Sequence, residues 1–250
     1  MEIKNPHASE ELLLKIQGNF LEKYESKINS EAYHPKDVER IRQNTKWLLA
    51  FYKHAFANPD RAVDLIDEVL TWRKEFGAND FLTPGKLPFS ESILEIGALF
   101  KRNKDKNGLT ILNFRTKTHR KGGYPHEELC KFVAYFFEKE YKFSLDEPIV
   151  LLFDMTDSGL SNTDLDFAKF LISCLKTYYP GLIHYLIVFN MPFILNAVWK
   201  IIKALLPAKA VELVQFTDKQ SIKKFIDDDN LFTHMGGKDA YVYSSKDIDY

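Results

Sequence analysis

Two runs, PIVLLFD at 148–154 and YLIVFN at 185–190, stay apolar until a polar residue stops them. A half-buried strand alternates apolar with polar, so uninterrupted runs of this length are strands covered on both faces. Between them Phe167, Phe170, Leu171, Cys174, Leu175 and Tyr178 recur at helical spacing from about Thr163. Strands joined through a helix lie parallel, with helices packed on the sheet. A short strand near 213–217 extends it. Asn107-Gly108 between 97–102 and 109–115 predicts a hairpin, because both turn residues tolerate positive φ. Pro125, with Glu127 and Glu128 in the first turn, opens a helix whose stripe is Leu129, Phe132, Val133, Phe136, Phe137 and Tyr141. A further helix is expected over about 219–228.

Upstream of residue 80 the pattern is helical throughout. One helix covers 10–24 and a second about Pro35–Phe56. A third starts at Asn58-Pro59, a cap followed by proline at the first helical position, and stops at Gly77. Thr83-Pro84-Gly85 and Pro88 form a linker-like turn. The fold class is therefore α/β: a helical N-terminal lobe at 8–80, then a lobe at 90–240 with a mostly parallel mixed sheet flanked by helices. A loosely ordered tail is expected over 241–250.

Hydrophobic residues make up 45% of the 250 and charged residues 28%, which places the chain among globular domains. The net charge of −1 removes bulk attraction to nucleic acid, and no nucleic-acid partner is expected. The N-terminus lacks the pattern of a signal peptide, and no stretch of 18 apolar residues is free of charge. The expected location is the cytoplasm, with membranes touched from one side only. Cys130 and Cys174 sit within helical apolar patterns and read as buried free thiols.

The usual catalytic and nucleotide-binding signatures are missing. His126-Glu-Glu-Leu-Cys130 carries cysteine where a zinc-peptidase helix needs its second histidine. Asp154-Met-Thr-Asp-Ser158 reads D-x-T-x-S, close to the D-x-S-x-S of metal-dependent adhesion sites. In that fold this strand comes first, and too little chain follows Ser158 to complete it. No metal and no catalytic residue are expected. Lys117–Lys121 (KTHRK) is a basic loop, read as solvated, with a phosphate or anionic-membrane contact as the sharper alternative.

The segment after the second buried strand is unusual. From Phe193 to Leu206 only Asn196, Lys200 and Lys203 are polar, in one narrow stripe. The apolar arc exceeds half the circumference, wider than a helix on one core requires. Such a helix is either buried between two layers or a movable lid over an apolar cavity or bilayer.

YYPGLIHYLIVFNMPFILNAVWKIIKALL, with FDMTDSGLSNTD before it and FTHMGGKD after it, resembles the CRAL-TRIO lipid-binding domain family. WLLAFYKHAFANPDRAVDLIDEVLTWRKEFG is similar to its N-terminal helical region and RNKDKNGLTILNFR to its first hairpin. The resemblance implies an apolar pocket under a gate helix at about 192–206. It implies one bound lipid, no other cofactor, no covalent chemistry and transient contact with a membrane surface. The expected lipid contacts are Phe153 and Phe189 on the strands and Phe170, Cys174 and Tyr178 on the following helix. On the gate they are Phe193, Ala197, Val198, Ile201, Ile202 and Leu205. Trp199, Lys200 and Lys203 are the expected membrane contacts.

Hydroxyls that hold a phosphocholine headgroup in the family fall on Ser161 and Thr163. The positions of the inositol-recognition signature hold Gly181, Ala210 and Leu213, with Lys53 at its N-terminal basic position, so that signature is largely absent. Phospholipid is the expected ligand class. Within the family the stretch is closest to members in which a peptide-motif-binding domain and a membrane anchor follow. A protein partner is therefore expected only through such further domains, as is association with the endoplasmic reticulum. The alternative reading is a protein-interaction scaffold whose pocket is filled by Phe153, Phe167, Phe170 and Phe189.

Overall fold

A computed structural model describes residues 8–248. Two compact units emerge, and they interleave in sequence. The helical unit runs up to Phe81 and also takes in Tyr141–Glu147 and Cys174–Leu182. Its helices are α1 (Glu10–Lys23), α2 (Glu25–Asn29), α3 (Pro35–Gln43), α4 (Thr45–His54) and α5 (Pro59–Phe76). The sheet unit holds α6 (Ser92–Glu95), β1 (Leu99–Lys104), β2 (Thr110–Arg115), α7 (His126–Glu140), β3 (Ile149–Asp154) and α8 (Leu165–Ser173). It continues with β4 (Ile183–Phe189), α9 (Asn196–Leu205), α10 (Ala208–Glu212) and β5 (Val214–Thr217).

In the helical unit, α5 starts and stops where its caps dictate. The Asn58 side chain accepts from Arg61 N at 3.0 Å, and Gly77 takes the left-handed conformation. The single helix expected over Pro35–Phe56 is broken at Asn44. Its side chain caps α4 by accepting from Trp47 N (3.1 Å) and donates to Phe143 O (3.0 Å). Asn-capping competes with helix continuation, and the second bond tips the balance. The two borrowed segments are held by buried aromatics. Trp47 Nε1 donates to Tyr141 Oη at 2.6 Å, and Tyr141 Oη donates to Pro180 O at 3.1 Å. Tyr178, in a π-helical turn over Cys174–Tyr178, stacks on Trp72 with centroids 4.1 Å apart. Contiguous boundaries at 8–80 and 90–240 miss this exchange because each borrowed piece is under ten residues long.

The sheet order is β1-β2-β3-β4-β5, with β1 antiparallel to β2 and every other pair parallel. The hairpin loop spans five residues rather than a two-residue turn. Asp105 organises it, its carboxylate accepting from Asn107 N (2.9 Å) and Leu109 N (2.8 Å). One face of the sheet presents Phe100, Ile111, Val150, Leu152, Ile187 and Phe189. Ile222, Ile226, Leu231, Phe232 and Met235 of the C-terminal segment close over it.

That segment forms short 3-10 turns, Ser221–Lys224 and Asp228–Asn230, where a continuous helix was expected. It is pinned by polar contacts. Arg102 grips Asp239 with two hydrogen bonds (2.8 and 2.9 Å), and Asn103 Nδ2 donates to both Asn230 O (2.8 Å) and Asp239 (2.7 Å). Of the tail expected to be loose, residues 241–248 are described and pack down at two tyrosines, and 249–250 lie outside the described residues. Tyr243 lies on Phe100 (5.2 Å) and donates to Leu94 O, while Arg102 covers Tyr241 at 3.9 Å. Gly97 makes room, with φ of 60° and an ideal Cβ that would lie 2.5 Å from the Tyr243 ring.

Candidate functional site

The second face of the sheet follows from the register. Leu112, Leu151, Leu186 and Val214 form one row across β2 to β5, and Phe114, Phe153, Val188 and Phe216 form the next. Side chains two apart on a strand share a face, so these eight positions make a floor without a polar group. Its cover is uneven. On the β2 side, α7 lies against β1 and α8, and Leu112 and Phe114 are buried. Toward β5 the same rows emerge: Leu186 and Val214 are half-buried, and Phe216 is 44% exposed. Phe114 meets Phe153 at 5.4 Å and Phe167 at 6.1 Å, and Trp199 of α9 meets Phe216 edge-on at 5.0 Å.

Helix α9 borders the open end, beside α8. A 3-10 turn, Phe193–Leu195, precedes it, and none of the ten α9 residues is buried. The wide apolar arc divides in two. Val198, Trp199, Ile202 and Leu206 are half-buried, with Leu195 buried on the same side. Ile194, Ala197, Ile201 and Leu205 form an exposed stripe that continues into Phe193, which is 88% exposed. Lys200 and Lys203 are exposed beside it.

The expected contacts therefore separate. Phe153 lies on the open floor, and Phe170 is half-buried on α8. Val198 and Ile202 are on the inner side of α9, whereas Phe193, Ala197, Ile201 and Leu205 are on its outer side. Trp199, expected at a membrane, packs on the sheet at Phe216. Phe189 is a correction. It pairs with Asp154, points to the opposite face and is fully buried in the closed core. An uninterrupted apolar strand carries no sign of which residues face which side. Cys174 and Tyr178 belong to the helical unit, where Cys174 is buried and Tyr178 stacks on Trp72. The reason is the π-helical turn, which departs from the 3.6-residue spacing that placed them on the α8 stripe. Ser161 is exposed in a 3-10 turn, Leu160–Asn162, and Thr163 is half-buried after it. Sequence reasoning missed Leu112, Phe114, Leu186, Val188 and Phe216. Phe114 sits in NFRTK, where neighbouring charges mask its burial.

The Asp154 loop is a structural clasp. The Asp154 carboxylate accepts from His234 Nε2 (2.8 Å) and Thr156 N (3.0 Å), tying β3 to the C-terminal segment. Burial pushes its carboxyl up, but these hydrogen bonds outweigh burial and hold it below the usual range. Among the described residues no group of three or more His, Cys, Asp or Glu is placed to hold a metal ion.

The profile of the CRAL/TRIO domain covers residues 94–237. The chain belongs to the CRAL/TRIO family. It is 27% identical over 206 residues to CRAL-TRIO domain-containing protein C3H8.02 of Schizosaccharomyces pombe, covering 79% of this chain and 46% of that protein. It is 30% identical over 154 residues to phosphatidylinositol transfer protein CSR1 of Eremothecium gossypii, covering 60% and 35%. The chain thus spans less than half the length of these relatives. The solved structure of Sfh5 has a similar fold, at a TM-score of 0.68 over 94% of this chain and 89% of that one, with 17% identity. No described helix is long and apolar enough to cross a membrane.

Proposed function

We propose that this chain is a non-enzymatic lipid-binding or lipid-transfer module that holds one phospholipid on the open sheet face, with α9 as the movable wall. The observation that carries this reading is an apolar floor, closed at β2 and open at β5, beside a helix with no buried residue. A CRAL/TRIO relative named as a phosphatidylinositol transfer protein supports it. The energetics agree. At about 0.8 kcal/mol per methylene, a 16-carbon chain costs roughly 12 kcal/mol to expose to water, so a carrier must supply apolar cover for nearly all of it. The same helix meets a bilayer through Phe193, Ile194, Ile201 and Leu205, with Lys200 and Lys203 at the headgroup level. Ser161 and Thr163 face the headgroup, and Gly181, Ala210 and Leu213 make it one other than inositol. The protein works in the cytoplasm and visits membranes peripherally. In a longer protein, further domains would supply protein partners and a fixed location such as the endoplasmic reticulum.

Native mass spectrometry of the purified chain, before and after incubation with mixed-composition liposomes, tests the reading. One phospholipid per chain is expected. A bare mass in both samples would overturn it and favour a scaffold with a filled pocket.

A further inference from the structure

The basic loop at Lys117–Lys121 leaves the sheet by the same edge as the segment leading to α9. Strands β2, β3 and β4 run parallel, so the segments that follow them emerge together. After β2 comes the basic loop, after β3 the turn Leu160–Asn162, and after β4 Phe193 and α9. Side chains tie the three. Asn162 Nδ2 donates to Lys117 O (3.1 Å) and His119 O (2.8 Å), Lys117 pairs with Asp157 at 3.2 Å, and Asn190 Nδ2 donates to Thr156 Oγ1 (3.4 Å). This edge exposes groups of two kinds. Leu160 and Ile194 are each 57% exposed and Phe193 88%. The loop bonded to the Leu160 turn exposes Arg120 and Lys121, then Gly122 and Gly123, which add no side chain to hold the cations off a surface. The carboxylates around the loop leave an excess of positive charge. Asp157 takes Lys117, and Asp166 is shared by Lys121 (3.8 Å) and Lys169 (3.1 Å). Glu127 pairs with Lys131, and Asp164 turns inward to cap α8, accepting from Asp166 N and Phe167 N. Arg120 has no ion pair among the described residues.

A stable protein partner needs a continuous, shape-matched patch of about 800 Å² on each side. Here single apolar side chains stand on separate loops, with cations among them. A fluid bilayer requires no matched shape. Apolar tips enter the acyl boundary while lysine and arginine heads stay with anionic headgroups. We propose that this edge of the sheet is a second membrane-docking element, selective for anionic lipid surfaces. Leu160 and Phe193 enter the bilayer boundary, and Arg120 and Lys121 meet the headgroups. The proposal rests on the reading that the chain visits membranes through α9, and it adds the kind of membrane visited. Contact through both the loop and the α9 stripe also sets one orientation of the sheet unit on the bilayer.

Co-sedimentation of the whole chain with vesicles of phosphatidylcholine, alone or mixed with phosphatidylserine, tests this. One cation near an anionic surface changes partitioning about fivefold. Arg120→Gln should therefore weaken binding to the mixed vesicles about fivefold and leave binding to phosphatidylcholine alone unchanged. Adding Lys121→Gln should deepen the loss. The wild-type preference for mixed vesicles should shrink as salt rises. Lys104→Gln removes the same charge at the opposite edge, where the end of β1 pairs with the start of β2, and should change nothing. Equal losses from Arg120→Gln and Lys104→Gln make the effect one of net charge and overturn the proposal. Arg120→Gln that binds like the wild type, while Ile201→Asp binds weakly, overturns it too and keeps the α9 contact. A chain that binds polyglutamate through Arg120, and vesicles without regard to it, has an acidic protein as its partner, which also overturns the proposal. A chain that carries one phospholipid by native mass spectrometry but ignores mixed vesicles keeps the carrier function and defeats the docking edge. The reverse, Arg120-dependent vesicle binding by a chain that never loads lipid, keeps the docking edge and defeats the carrier function.

Discussion

Each face of the sheet presents an apolar cluster, and the two are differently covered. Phe100, Ile111, Val150, Leu152, Ile187 and Phe189 are sealed by the chain's own C-terminal segment. On the reverse, burial falls from Leu112 and Phe114 on β2 to Phe216 on β5. Apolar area gains by leaving water whoever provides the cover. A face covered by the chain serves stability, and one left to be covered by something else serves binding. The assignment of function to the open face stands or falls on that contrast.

The largest effects should come from adjacent residues pointing opposite ways. Phe189→Ala empties a fully buried site in the closed core and should cost about 3–5 kcal/mol in urea unfolding. Val188→Ala removes a smaller side chain, buried on the other face, and should cost about 2 kcal/mol, while lowering phospholipid uptake from liposomes severalfold. Equal stability losses with no change in uptake would erase the distinction between the faces.

A smaller effect, of about 1–2 kcal/mol, is expected from acid, and it should fall on the closed face. The Arg102 guanidinium hydrogen-bonded to Asp239 holds its carboxyl down at about 2, against an ordinary value of 3.8. The folded state favours the ionised form. Its contribution is therefore full above about pH 4 and is lost as pH falls toward 2. Asp154 adds in the same direction. Asp239→Asn should flatten part of this slope in urea midpoints measured from pH 5 to pH 2.5. An unchanged slope would show that the Arg102–Asp239 pair does not hold the C-terminal segment in place.

Much of this architecture could be read from the sequence, because it rests on strong local signals. The runs at 148–154 and 185–190 become the parallel strands β3 and β4, and Asn58-Pro59 and Gly77 bound α5. The failures share a physical cause. Facing within a doubly buried strand is set by long-range register, so Phe189 could not be told from Phe153. Asn44 splits a helix through a hydrogen bond to Phe143, 99 residues away. Cys174 and Tyr178 continue the stripe of α8, yet a π-helical turn and Trp72 claim them for the helical unit. The tail of Tyr241 and Tyr243 has no periodicity, and contacts with Arg102, Phe100 and Leu94 order it. The wide arc of α9 was legible as unusual, but its division needed the neighbouring Phe216.

That division supplies the smallest expected change in stability and the sharpest test of the proposed membrane contact of α9. Ile201 is 48% exposed, whereas Ile202, one residue on, is half-buried toward the sheet. A charge at an exposed position away from packing changes stability by about 0.5 kcal/mol or less. Ile201→Asp should therefore leave the urea midpoint almost unchanged. In co-sedimentation with anionic liposomes it should reduce binding severalfold, because it places a carboxylate between Phe193 and Leu205 on the exposed stripe. Ile202→Asp should instead disturb the half-buried inner side and lower lipid retention as well as stability. If both substitutions behaved alike, α9 would not present distinct inner and outer sides, and the proposed membrane contact through its exposed stripe would fail.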